Sequence, residues 1–235
     1  MKKTFLIMTT AVAVFFITAV FLCVQVLNSA QMVSAFSEGE MRIVLDAGHG
    51  GIDGGVVGRA TGVKESDINL AITLCLKDVL EDMGFEVTLT RKTEAGLYGA
   101  PTKGFKKRDM QRRKEIIEAA QPTLVISIHQ NYYPSKSLRG GQVFYNKADK
   151  NSLKLAKILQ KQVNALYAEE NVKAREIQAG QYYMLECTSY SSVILECGFL
   201  SNSADESLLS SAVWQEKLSH GVATGVVEYL TDYTA

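Results

Sequence analysis

The feature that most constrains this fold is an apolar run that ends in a glycine-rich loop. Residues 43–45 are Ile-Val-Leu, and they lead through Asp46 into Ala-Gly-His-Gly-Gly, with histidine at position 49. A short run with β-branched residues is typical of a buried strand. Glycines have no Cβ and let the backbone approach a ligand closely. The stretch therefore predicts a buried strand that presents His49 at a binding site.

Two further apolar runs end in polar side chains of similar chemistry. Residues 124–128 lead into His129, and residues 193–195 lead into Glu196. Ligands of open α/β sheets bind outside the carboxyl ends of the strands. If the three strands run parallel, the side chains at positions 49, 129 and 196 share one crevice.

Helical periodicity alternates with these strands along the chain. Apolar residues recur at helical spacing at about residues 66–83, 106–120, 153–167 and 212–230, and further short strands are predicted at 85–90, 140–145 and 182–185. Strands interleaved with helices indicate an α/β fold. We expect one domain at residues 38–235, with a twisted, mostly parallel sheet covered by helices on both faces. The first of these helices should be capped by Ser66 or Asp67.

The N-terminus carries a hydrophobic segment, which we assign with a short linker to residues 1–37. Lys2 and Lys3 precede a stretch without charges, and its apolar part spans residues 5–27. A span of about 20 apolar residues can cross a bilayer, so a signal anchor is favoured, although small residues near position 30 leave a cleaved signal peptide as the alternative. Positive charge before the segment places the domain outside the cytoplasm, with membrane contact through this segment.

Charge composition argues against nucleic-acid binding. The 235 residues include 25 Lys and Arg and 25 Asp and Glu, so no excess of positive charge is available for a phosphate backbone. One basic cluster nevertheless lies at and just before the second predicted helix, and it contains Lys103, Lys106, Lys107, Arg108, Arg112 and Arg113. This cluster could bind anionic wall polymers. The alternative, which we favour, is a solvated helix face on which Asp109 and Glu115 are the ion-pair partners.

The predicted crevice offers ligands that suit a catalytic zinc ion. Two histidines and one carboxylate form such a site, and a fourth position is left for water. The carboxylate must be chosen among Asp46, Asp53, Glu65, Asp67 and Glu196. We prefer Glu65, because its side chain is long and it lies at a predicted helix start. Glu196 is then free to act as the general base that takes a proton from water.

Some of these residues also have a purely structural interpretation. A lone histidine at a strand end is commonly packed or hydrogen-bonded, and Glu65 could serve the helix dipole. His220 lies beside the apolar stripe of the last predicted helix and is expected at the surface. Cys187 and Cys197 could pair in an exported protein, but buried free thiols are favoured.

The motifs together resemble a known family. They are the glycine loop at residues 45–51, the helix start at Glu65, and residues 127–131 and 195–202. In this order, over about residues 42–230, they resemble the zinc-dependent N-acetylmuramoyl-L-alanine amidases of the Amidase_3 type. The resemblance implies their zinc-exopeptidase-like fold, one zinc ion (Zn2+) per chain on His49, Glu65 and His129, and Glu196 as the catalytic residue. It also implies hydrolysis of the amide that joins the lactyl group of N-acetylmuramic acid to L-alanine in peptidoglycan.

The resemblance also bears on residues around the site. Arg91 and Arg113 stand where the family has arginines, and with Asn131 they are candidates for substrate support, although the arginines could be purely structural. Gln130 stands where the family often has alanine, which should alter the rim rather than the metal.

A single domain behind a hydrophobic segment resembles the germination-specific, CwlD-like amidases of spore-forming bacteria. These enzymes strip peptide from muramic acid, so that muramic-δ-lactam can form in the spore cortex. The resemblance implies a location on the outer face of the forespore membrane, facing the cortex, and an exported protein activator is a further candidate partner.

Two other functions stay open at the level of the sequence. One is a zinc exopeptidase that acts on free peptides. Such enzymes often use a second metal, and the sequence supplies no further histidine near the predicted site. The other is an anchored wall-binding protein without catalytic activity, against which the presence of Glu196 argues.

Overall fold

The computed structural model describes residues 41–234 of the chain. The predicted N-terminal hydrophobic segment and the domain boundary near residue 37 lie outside the described residues. Among the residues that are described, no helix combines the length and the apolar character that crossing a bilayer requires.

A six-stranded sheet forms the centre of the domain. Its strands, in chain order, are β1 (Arg42–Ala47), β2 (Glu86–Leu89), β3 (Leu124–Asn131), β4 (Gln142–Tyr145), β5 (Gln178–Ala179) and β6 (Ser191–Phe199). They lie side by side in the order β2-β1-β3-β6-β4-β5. All neighbours pair in parallel except β4 and β6, which are antiparallel. The predicted α/β class and mostly parallel sheet are confirmed.

Helices cover both faces of this sheet. They are α1 (Glu65–Asp82), α2 (Phe105–Ala120), α3 (Lys150–Glu169), α4 (Tyr183–Glu186), α5 (Ser203–Leu209) and α6 (Ala212–Thr234). On one face α6 packs against both α1 and α3, and these two helices pack on β3, β4 and β6. On the other face α2 packs on β1 and contacts α4.

Burial on both faces explains why the central strands read as continuous apolar runs. Val44, Val125 and Ile194 belong to a core cluster that also contains Met184 from α4, and partly buried Met110 from α2 packs against this cluster. Side chains alternate along a strand, so the intervening residues of the same strands point to the face covered by α1, α3 and α6. By the same alternation, His129 and Glu196 point to the α2 face.

One predicted element is wrong in type. Residues 182–185 were expected to form a strand, but α4 occupies this position. Met184 and Leu185 both pack into the same core cluster, which consecutive residues of a strand do not do because they point to opposite faces.

Two short elements escaped the sequence patterns. The two-residue β5 is too short to show alternation, and α5 has only seven residues. Asn202 caps α5 by accepting hydrogen bonds from the backbone N–H groups of Ala204 and Asp205. A polar residue before an acidic first turn is a cap signal, and it marks this helix in the sequence.

By contrast, α1 begins at Glu65 after Lys64 and has no side-chain cap, so the prediction of Ser66 or Asp67 as its cap is wrong.

Candidate metal centre and active site

The carboxylate of Glu65 is the point at which the candidate site converges. Its Oε1 atom lies 2.9 Å from Nδ1 of His129 and 3.3 Å from Nε2 of His49. These three residues offer ligand atoms within 4.8 Å of one another, and they form a candidate metal group among the described residues. His49 follows the end of β1, Glu65 begins α1, and His129 lies in the last part of β3, so three separate elements supply the group.

Glu65 is fixed by the loop that precedes its helix. Its Oε2 atom accepts a hydrogen bond from the backbone N–H of Val56 at 2.9 Å, and its own N–H donates to the carbonyl of Val56 at 2.9 Å. The side chain is only 3% exposed. Burial alone would raise its pKa, but the hydrogen bonds with His129 and His49 hold the pKa of Glu65 well below its usual range. The group is therefore a carboxylate at neutral pH.

His49 is oriented from its other ring nitrogen. Its Nδ1 atom lies 3.2 Å from Oδ2 of Asp53, while Lys106 Nζ lies 3.3 Å from Oδ1 of the same carboxylate. Metal-binding histidines usually have such a carboxylate partner, which fixes the ring and its tautomer. The backbone of His49 has a φ of 62°, a left-handed conformation that is uncommon outside glycine and often marks a functional site.

Two buried amides lie behind the Glu65 carboxylate. Asn69, one helical turn after Glu65, donates to Oε1 at 3.3 Å and to the carbonyl of Gly48 at 3.1 Å. Gln130 donates from its backbone to the same Oε1 at 3.1 Å and from its side chain to Asn69 at 3.1 Å. Because Gln130 is only 3% exposed, the expectation that it alters the rim of the site is wrong. It belongs to the buried support of the candidate metal group.

Glu196 stands beside this group in the sheet. It is the register partner of His129 across the β3–β6 pair, so the two side chains project from the same face. Its Oε2 atom is buried and has no hydrogen-bond partner among the described residues. Burial raises the pKa of Glu196 to about 7. The interaction with His129 lowers this pKa, and it outweighs the smaller rise caused by the negative charge of Glu65. An unpaired buried carboxyl group is costly, which points to a chemical role.

Two buried arginines hold the glycine loop from below. Arg113 donates to Asp46 at 2.5 Å, to the carbonyl of Ala47 at 2.7 Å and to that of His49 at 2.5 Å. Arg91 donates to the carbonyls of Ala47 at 2.9 Å and Gly48 at 3.1 Å. Their exposures are 1% and 2%, so both lie beneath the loop rather than at the surface.

The basic cluster is therefore not one surface. Arg113 is buried between Asp46 and Asp109, and Arg112 pairs with Glu115 at 2.9 Å in solvent. The expectation that Asp109 pairs within a solvated face is wrong, since its carboxylate bonds the buried guanidinium of Arg113 at 2.6 Å. Packing of α2 on β1 buries Arg113 together with Asp109, one helical turn away.

The remaining candidates occupy different places. Asp46 lies below the loop and accepts hydrogen bonds from Arg113, Thr90 and Ser127. Asp67 accepts a hydrogen bond from Ser66. Asn131 accepts from the backbone N–H of Tyr132 at the end of β3.

The states of the cysteines and of His220 agree with expectation except in one respect. Cys197 is a buried free thiol and His220 is exposed on α6, as expected, whereas Cys187 is free but only half-buried.

The donor set fits a metal ion that accepts imidazole and carboxylate ligands. Two ring nitrogens and an anionic oxygen converge, one histidine has its own carboxylate partner, and the ligand carboxylate is held by three protein donors. A cavity of about 240 Å³ opens beside His49 and His129, and its wall includes Tyr98, Phe105 and Met184. A substrate can therefore reach the candidate metal position.

Comparison with known proteins agrees with this geometry. The Amidase_3 family model, described as N-acetylmuramoyl-L-alanine amidase, matches residues 43–228. The germination-specific N-acetylmuramoyl-L-alanine amidase of Bacillus subtilis is 32% identical over 193 residues, which cover 81% of this chain and 80% of that protein.

Solved structures show the same fold. The CwlD amidase from Clostridioides difficile, in complex with the GerS lipoprotein, has a TM-score of 0.77 and 35% identity and covers 82% of this chain and 99% of that chain. The catalytic domain of CwlV, an N-acetylmuramoyl-L-alanine amidase from Bacillus (Paenibacillus) polymyxa, has a TM-score of 0.70 and 28% identity. The match covers 81% of this chain and 98% of that chain.

Proposed function

This chain belongs to the Amidase_3 family of N-acetylmuramoyl-L-alanine amidases, and we propose that it performs the hydrolysis with one zinc ion held by His49, Glu65 and His129. The observation that carries this proposal is the convergence of both imidazoles on one oxygen of Glu65, beside the buried carboxyl group of Glu196. When bound, zinc lowers the pKa of a coordinated water and polarises the carbonyl of the scissile amide.

Glu196 is the proton carrier in this proposal. Its carboxylate takes the proton from the attacking water and then delivers it to the amine of L-alanine as the amide bond breaks. A carboxyl group suits both steps, because it accepts a proton as the carboxylate and releases it again as the acid. The side chain of Gln130, the amide of Asn69 and the carboxylate of Asp53 keep the ligands in place.

Arg91 and Arg113 act as positioning residues. Each donates to carbonyls of the loop that carries His49, and each is at most 2% exposed. Asn131, at the end of β3, is the candidate with enough exposure to meet the muramyl group.

The proposed substrate is the peptidoglycan of the spore cortex. The similarity to a germination-specific amidase, with most of the length of both proteins covered, supports this assignment. Removal of stem peptides from muramic acid would then precede formation of muramic-δ-lactam.

The proposed location is the outer face of the membrane that faces this cortex. The N-terminal hydrophobic segment, preceded by Lys2 and Lys3, supports export and membrane attachment. We also propose an exported protein partner, because the similar CwlD amidase was solved in complex with a lipoprotein.

Digestion of purified peptidoglycan tests the reaction. The purified chain is incubated with zinc and peptidoglycan, and the new chain termini are identified by mass spectrometry. A free L-alanine amine is expected, with one zinc per chain measured by metal analysis. New termini inside the stem peptide would instead identify a peptidase, and a second tightly bound metal would favour the exopeptidase alternative.

Spores test the biological role. Deletion of the gene should leave the cortex without muramic-δ-lactam and should block germination, while complementation restores both. Normal lactam content in the deletion strain would rule out the cortex assignment and leave the amidase reaction intact.

A further inference from the structure

A second cavity continues from the candidate active site along helix α2. It has a volume of about 550 Å³, and its wall includes Lys106, Lys107, Met110, Lys114, Glu118 and Tyr183. Lys106 and Met110 also line the cavity that contains His49 and His129, so the two spaces adjoin at the start of α2. We call the second cavity the α2 groove.

The length of the α2 groove matches a short extended peptide. Glu118 follows Lys106 by 12 positions in the helix. At a rise of about 1.5 Å per residue this separation is roughly 18 Å. An extended chain advances about 3.3–3.6 Å per residue, so the groove accommodates about five residues. Peptidoglycan stem peptides have four or five residues.

The charges along the groove change in a defined order. Lys106 and Lys107 lie at the end nearest the metal group. Lys114 lies about two helical turns further, and Glu115 and Glu118 lie at the far end. The surface pairs Lys114–Glu118 at 3.5 Å and Arg112–Glu115 at 2.9 Å contribute little to stability, so a ligand can replace them at small cost.

A stem peptide carries charges in the corresponding order. Its first residue is the L-alanine released at the scissile amide, and its second is a D-glutamate that keeps a free α-carboxylate. The third residue, diaminopimelate or lysine, carries an ammonium group. Opposite charges would thus face each other along the groove when the L-alanine amine lies at the metal group.

We propose that the α2 groove is the subsite that binds the stem peptide, with the D-glutamate carboxylate at Lys106 and Lys107 and the third-residue ammonium at Glu115 and Glu118. The inference rests on the proposed zinc amidase function. Exposed Tyr183 and half-buried Met110 form the apolar wall beside the peptide backbone. The subsite makes the enzyme selective for substrates whose second residue is an acid rather than an amide.

A charge reversal outside the catalytic group tests this selectivity. Lys107→Glu is compared with wild type on muramyl tripeptides that contain either D-glutamate or D-isoglutamine, in which a neutral amide replaces the carboxylate. The KM for the D-glutamate substrate should rise about fivefold, as loss of an exposed ion pair predicts, with kcat unchanged. The KM for the D-isoglutamine substrate should change little. Lys157→Glu reverses the charge of another exposed lysine, on α3 at the opposite face of the sheet, and should leave both values unchanged.

Binding of the free peptide separates this inference from the proposed function. The purified full chain is titrated with the tripeptide L-alanyl-γ-D-glutamyl-diaminopimelate, and affinity is measured by calorimetry without turnover. Weaker binding to Lys107→Glu than to Lys157→Glu supports the subsite, even if the zinc amidase mechanism fails. Equal binding by both variants, or equal KM changes on both muramyl substrates, overturns the subsite even when wild type cleaves peptidoglycan.

Discussion

At the residue scale, Glu196 differs from every surface carboxylate in the domain. It lies next to His129 in register, its Oε2 atom lacks a partner among the described residues, and burial raises its pKa to about 7. Glutamine in its place keeps the shape but cannot accept a proton. We expect Glu196→Gln to lower kcat by roughly 10²- to 10⁴-fold, the usual contribution of a general acid–base group, as measured by L-alanine amine release.

Metal content supplies the control for that experiment. Glu196→Gln should retain wild-type zinc stoichiometry, because the proposed ligands are unchanged, whereas His49→Ala should lose both zinc and activity. If Glu196→Gln released stem peptide at the wild-type rate, the proton-carrier role would have to go to another residue.

The buried Asp46 predicts how the stability of the fold changes at acid pH, because its partners favour the charged form of its carboxyl group. Burial alone would raise its pKa, but Arg113, Ser127 and Thr90 together lower it from 3.8 to about 2. A depressed pKa stabilises the fold above pH 4, and this contribution is lost as the pH falls from about 4 to about 2. The shift corresponds to about 2 kcal/mol of unfolding free energy. We expect Asp46→Asn to lose at least this amount at pH 7 in urea denaturation.

The pH series distinguishes this mechanism from loss of packing. The stability difference between wild type and Asp46→Asn should shrink between pH 4 and pH 2.5, while Asp78→Asn, at a carboxylate that is 73% exposed, should show no such trend. A difference that stays constant over this range would assign the effect to packing around the amide.

The proposed ligands could be predicted from the sequence because each lies at a strong local signal, either the end of a buried strand or the start of a helix. The residues that hold the glycine loop in place through distant contacts could not be predicted in this way. Asp46 and Arg113 are 67 positions apart in the chain, and their contact depends on how α2 packs on β1. Asn69 had a usable signal, because a residue four positions after Glu65 in a helix lies on the same face.

At the element scale, the glycine loop is shaped by the ring of His129. A Cβ added at Gly48 would lie 2.2 Å from Nε2 of this histidine, so the ring must move if any side chain is present. We expect Gly48→Ala to weaken zinc binding by roughly 10- to 100-fold, as other disturbances around metal ligands do, measured by competition with a chelator.

A neighbouring glycine gives the matched control. At Gly54 the nearest atom to an added Cβ is the flexible Cδ of Lys64 at 3.3 Å, so Gly54→Ala should bind zinc nearly as well as wild type. Equal affinities for the Gly48→Ala and Gly54→Ala variants would show that the space above His129 is not required for the site.

Element type followed the sequence where a segment is long and regular, and failed where it is short. The long helices and buried strands match their patterns, because apolar periodicity over many residues is set by the face that is buried. Residues 183–186 contain only one helical turn, and two tyrosines before two apolar residues are equally typical of a strand. In the folded domain α4 packs on β6 and on α2, and its contact with α2 is not local in sequence.

At the scale of the whole molecule, the candidate metal group joins helix α1 to the neighbouring strands β1 and β3. Its ligands come from the end of β1, the start of α1 and the end of β3. An ion that binds this folded arrangement, and not the unfolded chain, stabilises the domain by mass action. The α/β class was predictable from alternating elements, but the closeness of these three ends depends on the strand order, which places β1 beside β3 and β3 beside β6.

Thermal unfolding then reports on the whole group at once. Zinc at about 100 times its dissociation constant should raise the free energy of unfolding by about 2.7 kcal/mol. Each kcal/mol raises Tm by about 2–4 °C in a domain of this size, so we expect Tm to rise by roughly 5–10 °C. Chelation should reverse the rise. His49→Ala should show no zinc-dependent rise, whereas His220→Ala, at an exposed position on α6, should show the full effect. A rise of equal size in His49→Ala would mean that zinc stabilises the fold from a different site, because one imidazole of the proposed three-ligand group is missing in that variant.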